Sequence, residues 1–275
     1  KLDFTRRLAL QVPRLSLTAT MITQNTEGML TRCLRSFRPY ADEIVVADGQ
    51  STDATRAILT QEGATVVEGI DPKIHGFDAA RNVILPHVTG DVVLWIDSDE
   101  ELLDGQNLPK YLRWNMFGGY ALRQHHFSAV PENAFKPDLP VRLFRRTWPG
   151  GRDSGIKFYG VVHEHPETKP NESVGESICL SDVHIAHFGY LTDAVRRGRF
   201  GRNIPLMFRD RAKYPERTLG KMLMIRDWAH LARYSGQQVG GQLTPEGAAH
   251  YEAALAAYQR DFLGKAHALA LDGLQ

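Results

Sequence analysis

The chain has 275 residues, of which 43% are apolar and 24% are charged, so its composition is that of an ordinary globular protein. Disordered, collagenous and small disulfide-stabilised proteins are therefore excluded. The 33 Lys and Arg residues are almost balanced by 32 Asp and Glu residues, so the net charge of +1 gives no global sign of a polyanionic partner, and evidence for one must be local. The apolar run at residues 92–96 is far shorter than the roughly 20 residues that cross a bilayer, and no stretch resembles a secretory signal. We therefore predict a cytoplasmic protein.

Short apolar runs alternate with helical patterns over the first hundred residues. Strands are predicted at residues 15–22, 44–47, 64–67 and 91–96. Helices are predicted between these strands. The first spans residues 27–37, the second follows N-cap side chains at residues 51–53 and ends near residue 62, and the third spans residues 77–85. Strands and helices that alternate in this way form βαβ units, which build a parallel sheet. The predicted fold class is therefore α/β.

Beyond residue 107 strands and helices no longer alternate regularly, which predicts a mixed rather than a parallel sheet. A helix is predicted first, followed by strands at residues 120–126, 141–145, 156–162 and 183–188, with loops that contain Pro and Gly between them. After Thr192 the chain becomes helical, and Thr244 with Pro245 marks the start of its last helix. Residues 236–241 are the best candidate for a linker.

Acidic residues follow two of the predicted strands at the points where those strands end. Asp48 and Asp53 follow the second strand, and Asp97 and Asp99 follow the fourth. Ligands of open α/β sheets bind outside the carboxyl ends of the strands, so these four carboxylates are expected to converge there. Two like charges about 4 Å apart repel by roughly 4 kcal/mol at an effective dielectric near 20. The pattern predicts a compensating Mg²⁺ or Mn²⁺ ion with phosphate as co-ligand, and the alternative is a solvated turn that caps a helix.

Four segments also carry motifs in a characteristic order. They are Asn25, Asp-Gly-Gln-Ser-Thr-Asp-Ala-Thr at residues 48–55, Ala-Arg-Asn at 80–82 and Asp-Ser-Asp-Glu at 97–100. This series resembles the inverting, nucleotide-sugar-dependent glycosyltransferases of family 2, which have the GT-A fold. Residues 142–145, 160–164 and 187–190 are similar to a bacterial and phage-type subgroup with Asp-x-Asp-Glu and His-Glu motifs.

The resemblance implies a GT-A-like, Rossmann-type mixed sheet flanked by helices, with a C-terminal helical extension. Residues 1–191 would form the catalytic domain, with a nucleotide-sugar-binding half at 15–101 and an acceptor half at 102–191, and residues 192–275 would form the helical region. The implied activity is metal-dependent transfer of a sugar, with inversion, from a nucleotide-diphosphate sugar to a hydroxyl acceptor. A UDP-sugar is the expected donor.

The resemblance also assigns roles to single residues. The residues expected to bind the donor are Thr20, Asn25, Asp48, Asp53, Arg81 and Asp97. The expected ligands of Mn²⁺ or Mg²⁺ are Asp97, Asp99 and His187. The alternative for Arg81 is that it only forms a surface ion pair. The alternative for His187 is that it is a hydrogen-bonded histidine of the core.

Inversion requires a general base that takes the acceptor proton. Glu164, in the segment Gly-Val-Val-His-Glu-His at residues 160–165, is the leading candidate for this base. Asp153, in a Gly-rich loop, is the second candidate. The alternative for Glu164 is a structural ion pair with a neighbouring cation.

A basic segment follows the predicted sheet. Residues 193–226 contain three acids and ten basic residues, which give a local net charge of +7. The basic residues are Arg196, Arg197, Arg199, Arg202, Arg209, Arg211, Lys213, Arg217, Lys221 and Arg226. The segment either binds an anionic acceptor, such as a polysaccharide, a lipid-linked glycan or DNA, or contacts the donor, or forms a solvated helix face.

Two other functions are compatible with an acidic α/β crevice. A nucleotidyltransferase of related fold would use the same metal chemistry, but residues 23–28 lack the Gly-rich loop with Lys or Arg that such enzymes place after the first strand. An inactive sugar-binding or DNA-binding module would retain the fold without the chemistry. The intact carboxylates Asp48, Asp97 and Asp99 argue against this last function.

Overall fold

A computed structural model describes residues 13–113, 117–130, 135–172, 178–234 and 244–263 of the chain. These residues form two compact units. The first unit contains the described residues up to Tyr159 and those from Glu164 to Gly189, and the second contains residues 160–163 and those from Tyr190 onward. The predicted linker at 236–241 lies outside the described residues. Within the described ranges, no helix combines the length and the apolar character needed to cross a membrane.

The first unit is built on a mixed sheet. Its strands are β1 (Leu17–Thr23), β2 (Glu43–Asp48), β3 (Thr65–Glu68), β4 (Val92–Trp95), β5 (Glu100–Leu103), β6 (Gly119–His126), β7 (Val141–Arg145) and β12 (Ile178–His187). They lie in the order β3-β2-β1-β4-β7-β6-β12-β5. The first four in this order are parallel, β7 is antiparallel to both β4 and β6, β12 is parallel to β6, and β5 is antiparallel to β12.

Short strands and helices complete this unit. The helices are α1 (Glu27–Phe37), α2 (Thr55–Gln61), α3 (Pro72–His75), α4 (Phe77–Asn82) and α5 (Leu108–Arg113). Two small antiparallel sheets are formed by β8 (Thr147–Trp148) with β9 (Arg152–Asp153), and by β10 (Lys157–Tyr159) with β11 (His165–Glu167).

Apolar side chains cover both faces of the parallel strands. On one face, Leu30 and Leu34 of α1 pack with Leu17 and Leu94 in the main core. On the other face, Val93 and neighbouring strand residues pack in separate clusters. Strands buried on both sides read as continuous apolar runs, which is why the sequence indicates them. The predicted fold class, a GT-A-like mixed sheet flanked by helices with C-terminal helices, is confirmed.

The second half of the sheet differs from the prediction in two places. Residues 100–103, for which the sequence predicted no strand, form β5 and pair with β12. The strand predicted at 156–162 is present only as β10, which ends at Tyr159. Gly160 has a φ of +117°, and a Cβ atom there would lie 2.6 Å from the Arg217 guanidinium. Both the positive φ and the close approach of this arginine require glycine at position 160.

The second unit is helical. Its helices are α6 (Asp193–Lys213), α7 (Thr218–Tyr234) and α8 (Pro245–Tyr258). Buried Arg217 pairs with Asp210 at 3.2 Å and donates to the carbonyl of His163 at 2.5 Å, while Asp210 accepts from the backbone N–H of Val161 at 2.7 Å. Residues 160–163 are thus held by an ion pair between α6 and the start of α7.

Candidate active site

The strand directions bring a set of polar residues to one edge of the first unit's sheet. Because β1, β2, β4, β6 and β12 all run the same way, their carboxyl ends share this edge, and β5 begins there. Asp48 ends β2, His126 ends β6 and His187 ends β12, while Asp97 and Asp99 connect β4 to β5. Ligands of open α/β sheets bind at such an edge. The predicted convergence of the strand ends is therefore present in the topology.

Asp48 and Asn25 hold the loops that follow β1 and β2. The buried Asp48 carboxylate accepts from the hydroxyls of Thr23 at 3.1 Å and Ser51 at 2.6 Å. Asn25, at a φ of +51°, accepts from the N–H of Thr52 at 2.8 Å through its side chain. Both side chains thus fix the geometry of the crevice wall.

Asp53 and Glu27 connect the starts of two helices. Asp53 accepts from the backbone N–H groups of Glu27 at 3.2 Å and Thr55 at 3.0 Å, and Glu27 in turn accepts from Ala54 N–H at 2.9 Å. A hydrogen bond from the Thr55 side chain, followed by those from the backbone N–H groups of Thr55 and Glu27, lowers the pKa of Asp53. Helix α2 begins at Thr55, beyond the N-cap positions suggested by the sequence. Thr20 is buried within β1, three residues before the strand ends.

A chain of alternating charges crosses the centre of the edge. Arg81 donates from Nε to Glu164 Oε1 at 2.5 Å and from Nη2 to Asp97 Oδ1 at 2.7 Å. Arg142 lies 3.6 Å from the other Asp97 oxygen and donates to Glu100 Oε1 at 2.7 Å. The predicted base Glu164 and the predicted ligand Asp97 are therefore joined through one guanidinium.

The protein holds this charge chain rigidly. The guanidiniums of Arg81 and Arg142 lie 4.4 Å and 3.8 Å from the centre of the Trp95 ring, which limits their movement. Burial alone would raise the pKa of Asp97, but the positive charges of Arg81 and Arg142 outweigh this effect and lower the pKa. Burial raises the pKa of Glu100, the carboxylates of Asp97 and Asp99 add to the increase, and Arg142 opposes it. Asp97 therefore carries its negative charge at neutral pH.

Asp99 faces His187 across the turn. Their side chains approach to 3.8 Å between Asp99 Oδ2 and His187 Nε2, and the Asp99 carbonyl accepts from Phe188 N–H at 2.9 Å. An oxygen and a nitrogen donor at this separation form a donor set suited to Mn²⁺ or Mg²⁺, which take further ligands from substrate phosphates. Among the described residues, no group of three or more His, Cys, Asp or Glu side chains converges as a cation cage. The residues present therefore fit a two-ligand site that a diphosphate would complete.

Asp153, the second candidate base, lies in a different setting. It belongs to β9, and its largely exposed carboxylate pairs with Arg146 at 2.5 Å and accepts from Gly155 N–H at 2.7 Å. Hydrogen bonds and the Arg146 charge lower its pKa. The contacts of Asp153 thus hold its hairpin, whereas those of Glu164 lead to Asp97.

The sequence did not single out three residues of this edge as site residues. They are Arg142, His126 and Asp138. His126 shares a strand face with Gln124, and both are buried. Two polar residues on the buried face of a strand indicate a polar cluster at its end, because buried polar groups need partners. This signal was present but did not identify the partners.

The basic segment of the second unit is partly neutralised. Arg196 and Arg217 are buried rather than exposed. At least five of the ten basic residues form ion pairs: Arg196 with Asp193, Arg197 with Glu246, Arg211 with Asp261, Arg217 with Asp210, and Arg226 with Asp227. Three of these acids lie beyond the segment in the sequence, so its count of +7 overstates the charge available to an acceptor.

A stability measurement distinguishes the buried pair from other basic residues of the segment. Arg217→Met leaves the Asp210 carboxylate buried without its cation, and loss of one member of a buried pair costs about 3–5 kcal/mol. We expect a clear drop in melting temperature for Arg217→Met, which precedes α7, and little change for Lys221→Met within α7. Equal melting temperatures for the two variants would show that Arg217 contributes no buried pair.

The fold and the edge together define an α/β protein that carries fixed carboxylates at the carboxyl ends of its parallel strands. The chain belongs to glycosyl transferase family 2, whose profile matches residues 18–156. This membership confirms the family predicted from the motif series.

Several curated relatives match parts of the chain. Glycosyltransferase SunS, derived from prophage SPbeta of Bacillus subtilis, is 27% identical over 178 residues, which are 64% of this chain and 40% of SunS. A TPR repeat-containing protein of Synechococcus elongatus is 40% identical over 83 residues, which are 30% of this chain and 20% of the relative. The matches thus span a fifth to two fifths of these relatives.

Among solved structures, Staphylococcus aureus TarS 1-349 in complex with UDP-GlcNAc has a TM-score of 0.49 at 16% identity, covering 89% of this chain and 81% of TarS. The mannosyltransferase PcManGT of Pyrobaculum calidifontis, in complex with GDP-Man and Mn²⁺, has a TM-score of 0.48 at 18% identity, covering 98% and 87%.

Proposed function

We propose that this protein transfers a sugar from a nucleotide-diphosphate sugar to a hydroxyl acceptor, with inversion and with the help of Mn²⁺ or Mg²⁺. The observation that carries the proposal is the sheet edge that joins Asp97 to Glu164 through Arg81. Beside it lie Asp99 and His187, so one edge offers the groups for diphosphate binding and for proton removal. Membership in glycosyl transferase family 2 favours this reaction over nucleotidyl transfer.

The donor diphosphate would lie against the turn between β4 and β5. Asp99 and His187 would hold the divalent cation, and Asp97 would face the ribose or the outer ligands of that cation. The bound cation supplies positive charge to the leaving diphosphate. Arg81 is fixed between two carboxylates, and it would add a charge-assisted hydrogen bond to a phosphate oxygen.

The nucleoside would lie against the loops that follow β1 and β2. We propose that Asn25, Asp48 and Asp53 support this subsite, because their hydrogen bonds fix residues 49–55. Thr20 would contribute from within β1. UDP is the nucleotide to test first, since the family resemblance implies it.

Glu164 is the proposed general base. In the reaction the acceptor oxygen forms a bond to the anomeric carbon, its proton passes to the Glu164 carboxylate, and the bond from that carbon to the diphosphate oxygen breaks. Arg81 holds Glu164 through Oε1 and so orients the carboxylate. Asp153 remains the second candidate.

The acceptor is a hydroxyl compound, and an anionic one, such as a polysaccharide, a lipid-linked glycan or DNA, is its proposed class. The ion pairs within residues 196–226 leave a smaller positive charge for it than the sequence implies. Binding through this segment should weaken as the salt concentration rises, but less steeply than the sequence count of +7 implies, because part of the positive charge is paired with acids elsewhere in the chain.

A donor panel tests the proposed reaction. The protein is incubated with UDP- and GDP-sugars, Mn²⁺ and a range of hydroxyl acceptors, and release of the nucleoside diphosphate is measured. We expect release from one donor, loss of release on addition of EDTA, and recovery with Mn²⁺. Silence on every donor together with tight sugar or DNA binding would instead support the inactive module.

A further inference from the structure

We propose that His126 and Asp138 form a positioning relay that points His187 Nε2 at the cation site. The two histidines end the parallel neighbours β6 and β12 and lie directly opposite each other in the register. Their Nδ1 atoms are 2.8 Å apart, and His126 Nε2 is 3.1 Å from Asp138 Oδ2. The inference rests on the proposed role of His187 as a cation ligand.

The backbone fixes Asp138 at the start of this relay. Residues Gln124 and Asp138 form an isolated antiparallel bridge, with N–H to carbonyl distances of 2.9 Å and 3.1 Å in the two directions. Asp138 is therefore held beside the end of β6, where its carboxylate can accept a hydrogen bond from His126 Nε2 when that nitrogen carries the proton. His126 and His187 are both buried.

The proton positions follow from the donor and acceptor chemistry of neutral imidazole, which carries one N–H and one lone pair. The Nδ1 to Nδ1 contact requires a proton on one of the two rings. A His187 that binds a cation has its lone pair on Nε2, so its proton lies on Nδ1 and is donated to His126. The His126 proton then lies on Nε2 and is donated to Asp138.

The opposite arrangement is disfavoured. If His126 donated from Nδ1, its Nε2 lone pair would face the Asp138 carboxylate at 3.1 Å, and the two acceptors would repel. Asp138 thus selects the tautomer in which His187 presents a lone pair toward Asp99. Partners of this kind fix the tautomer and ring orientation of metal-binding histidines, and their loss lowers metal affinity by about 10- to 100-fold.

The test measures Mn²⁺ affinity directly, by the electron paramagnetic resonance signal of free Mn²⁺, with and without UDP. We expect His126→Leu to weaken Mn²⁺ binding by about 10- to 100-fold, because it removes the acceptor for His187 Nδ1–H. His126→Asn retains an oxygen acceptor near the Nδ1 position and should recover most of the affinity. Asp138→Ala should give a smaller loss than His126→Leu.

A matched pair on the same strands provides the control. The rings of His125 and His184 also meet across β6 and β12, with centres 5.2 Å apart, although His125 lies opposite Ala186 in the register. His125→Leu should leave Mn²⁺ affinity unchanged, and melting temperatures measured without metal show which variants keep their fold.

The outcomes separate the relay from the proposed function. If His187→Ala leaves Mn²⁺ affinity unchanged, His187 is not a cation ligand and both assignments to it are wrong. If His187→Ala weakens binding while folded His126→Leu and Asp138→Ala bind normally, the relay is overturned and the cation site stands. Equal losses in His126→Leu and His126→Asn would also overturn it, because the hydrogen bond would then be irrelevant.

Discussion

Replacement of Asp99 by Asn is expected to weaken Mn²⁺-dependent donor binding and to lower turnover by about two to three orders of magnitude. Asp99 lies 3.8 Å from His187, and no third His, Cys, Asp or Glu side chain of the described residues joins them as a cage. The substitution removes the only negative charge of this ligand pair while keeping its shape. Removal of one preorganised electrostatic contact to a developing charge costs about 10²- to 10³-fold in rate.

The matched control lies at the other end of the same strand. Asp104 follows β5 and faces His184 at 3.6 Å, so Asp104→Asn removes a second aspartate–histidine contact of similar geometry. Asp104 has a φ of +56°, a conformation that asparagine also adopts readily. We expect this variant to keep both its Mn²⁺ affinity and its turnover, as measured by calorimetry and by initial rates.

A single result would exclude the cation role of this edge. If Asp99→Asn retained full turnover after dialysis against EDTA, neither Asp99 nor the ion would be needed for transfer. A loss of turnover with normal Mn²⁺ affinity would instead place Asp99 in sugar or acceptor binding.

The parallel part of the fold could be predicted because its signals are local. Each strand from β1 to β4 is an apolar run followed by a polar strand end, and α1 carries its buried residues at helical spacing over the predicted bounds. Asp48 and Asp97 were placed at one edge by this pattern alone. The antiparallel part was harder to predict from the sequence, because β5 pairs with a strand more than 75 residues away in the chain.

The contacts within the site were mostly beyond prediction. The meeting of His126 and His187 depends on the register of β6 and β12, which are separated by about 50 residues, and no sequence motif encodes that register. Arg81 was singled out from its motif, but its position between Asp97 and Glu164 depends on a loop after β10. The basic segment was misleading because charge counting cannot see pairing with acids elsewhere in the chain, such as Glu246 and Asp261.

Replacement of Glu164 by Gln is expected to lower the rate of sugar transfer by about 10²- to 10⁴-fold, the usual contribution of a general base. The glutamine side-chain oxygen can still accept a hydrogen bond from Arg81 Nε, in place of the 2.5 Å bond to Glu164 Oε1. Arg81 therefore keeps its ion pair with Asp97. Donor affinity should therefore change little, and the loss should fall on kcat rather than on KM.

Two further variants decide what Glu164 does. Glu167→Gln, on β11 close to Glu164 in the chain, removes another buried carboxylate and should leave kcat unchanged. Asp153→Asn should also leave it unchanged, because the contacts of Asp153 stabilise its own hairpin. If Asp153→Asn lost turnover while Glu164→Gln kept it, Asp153 would be the base. If Glu164→Gln lost donor affinity and melting temperature but retained kcat, Glu164 would be only the structural partner of Arg81.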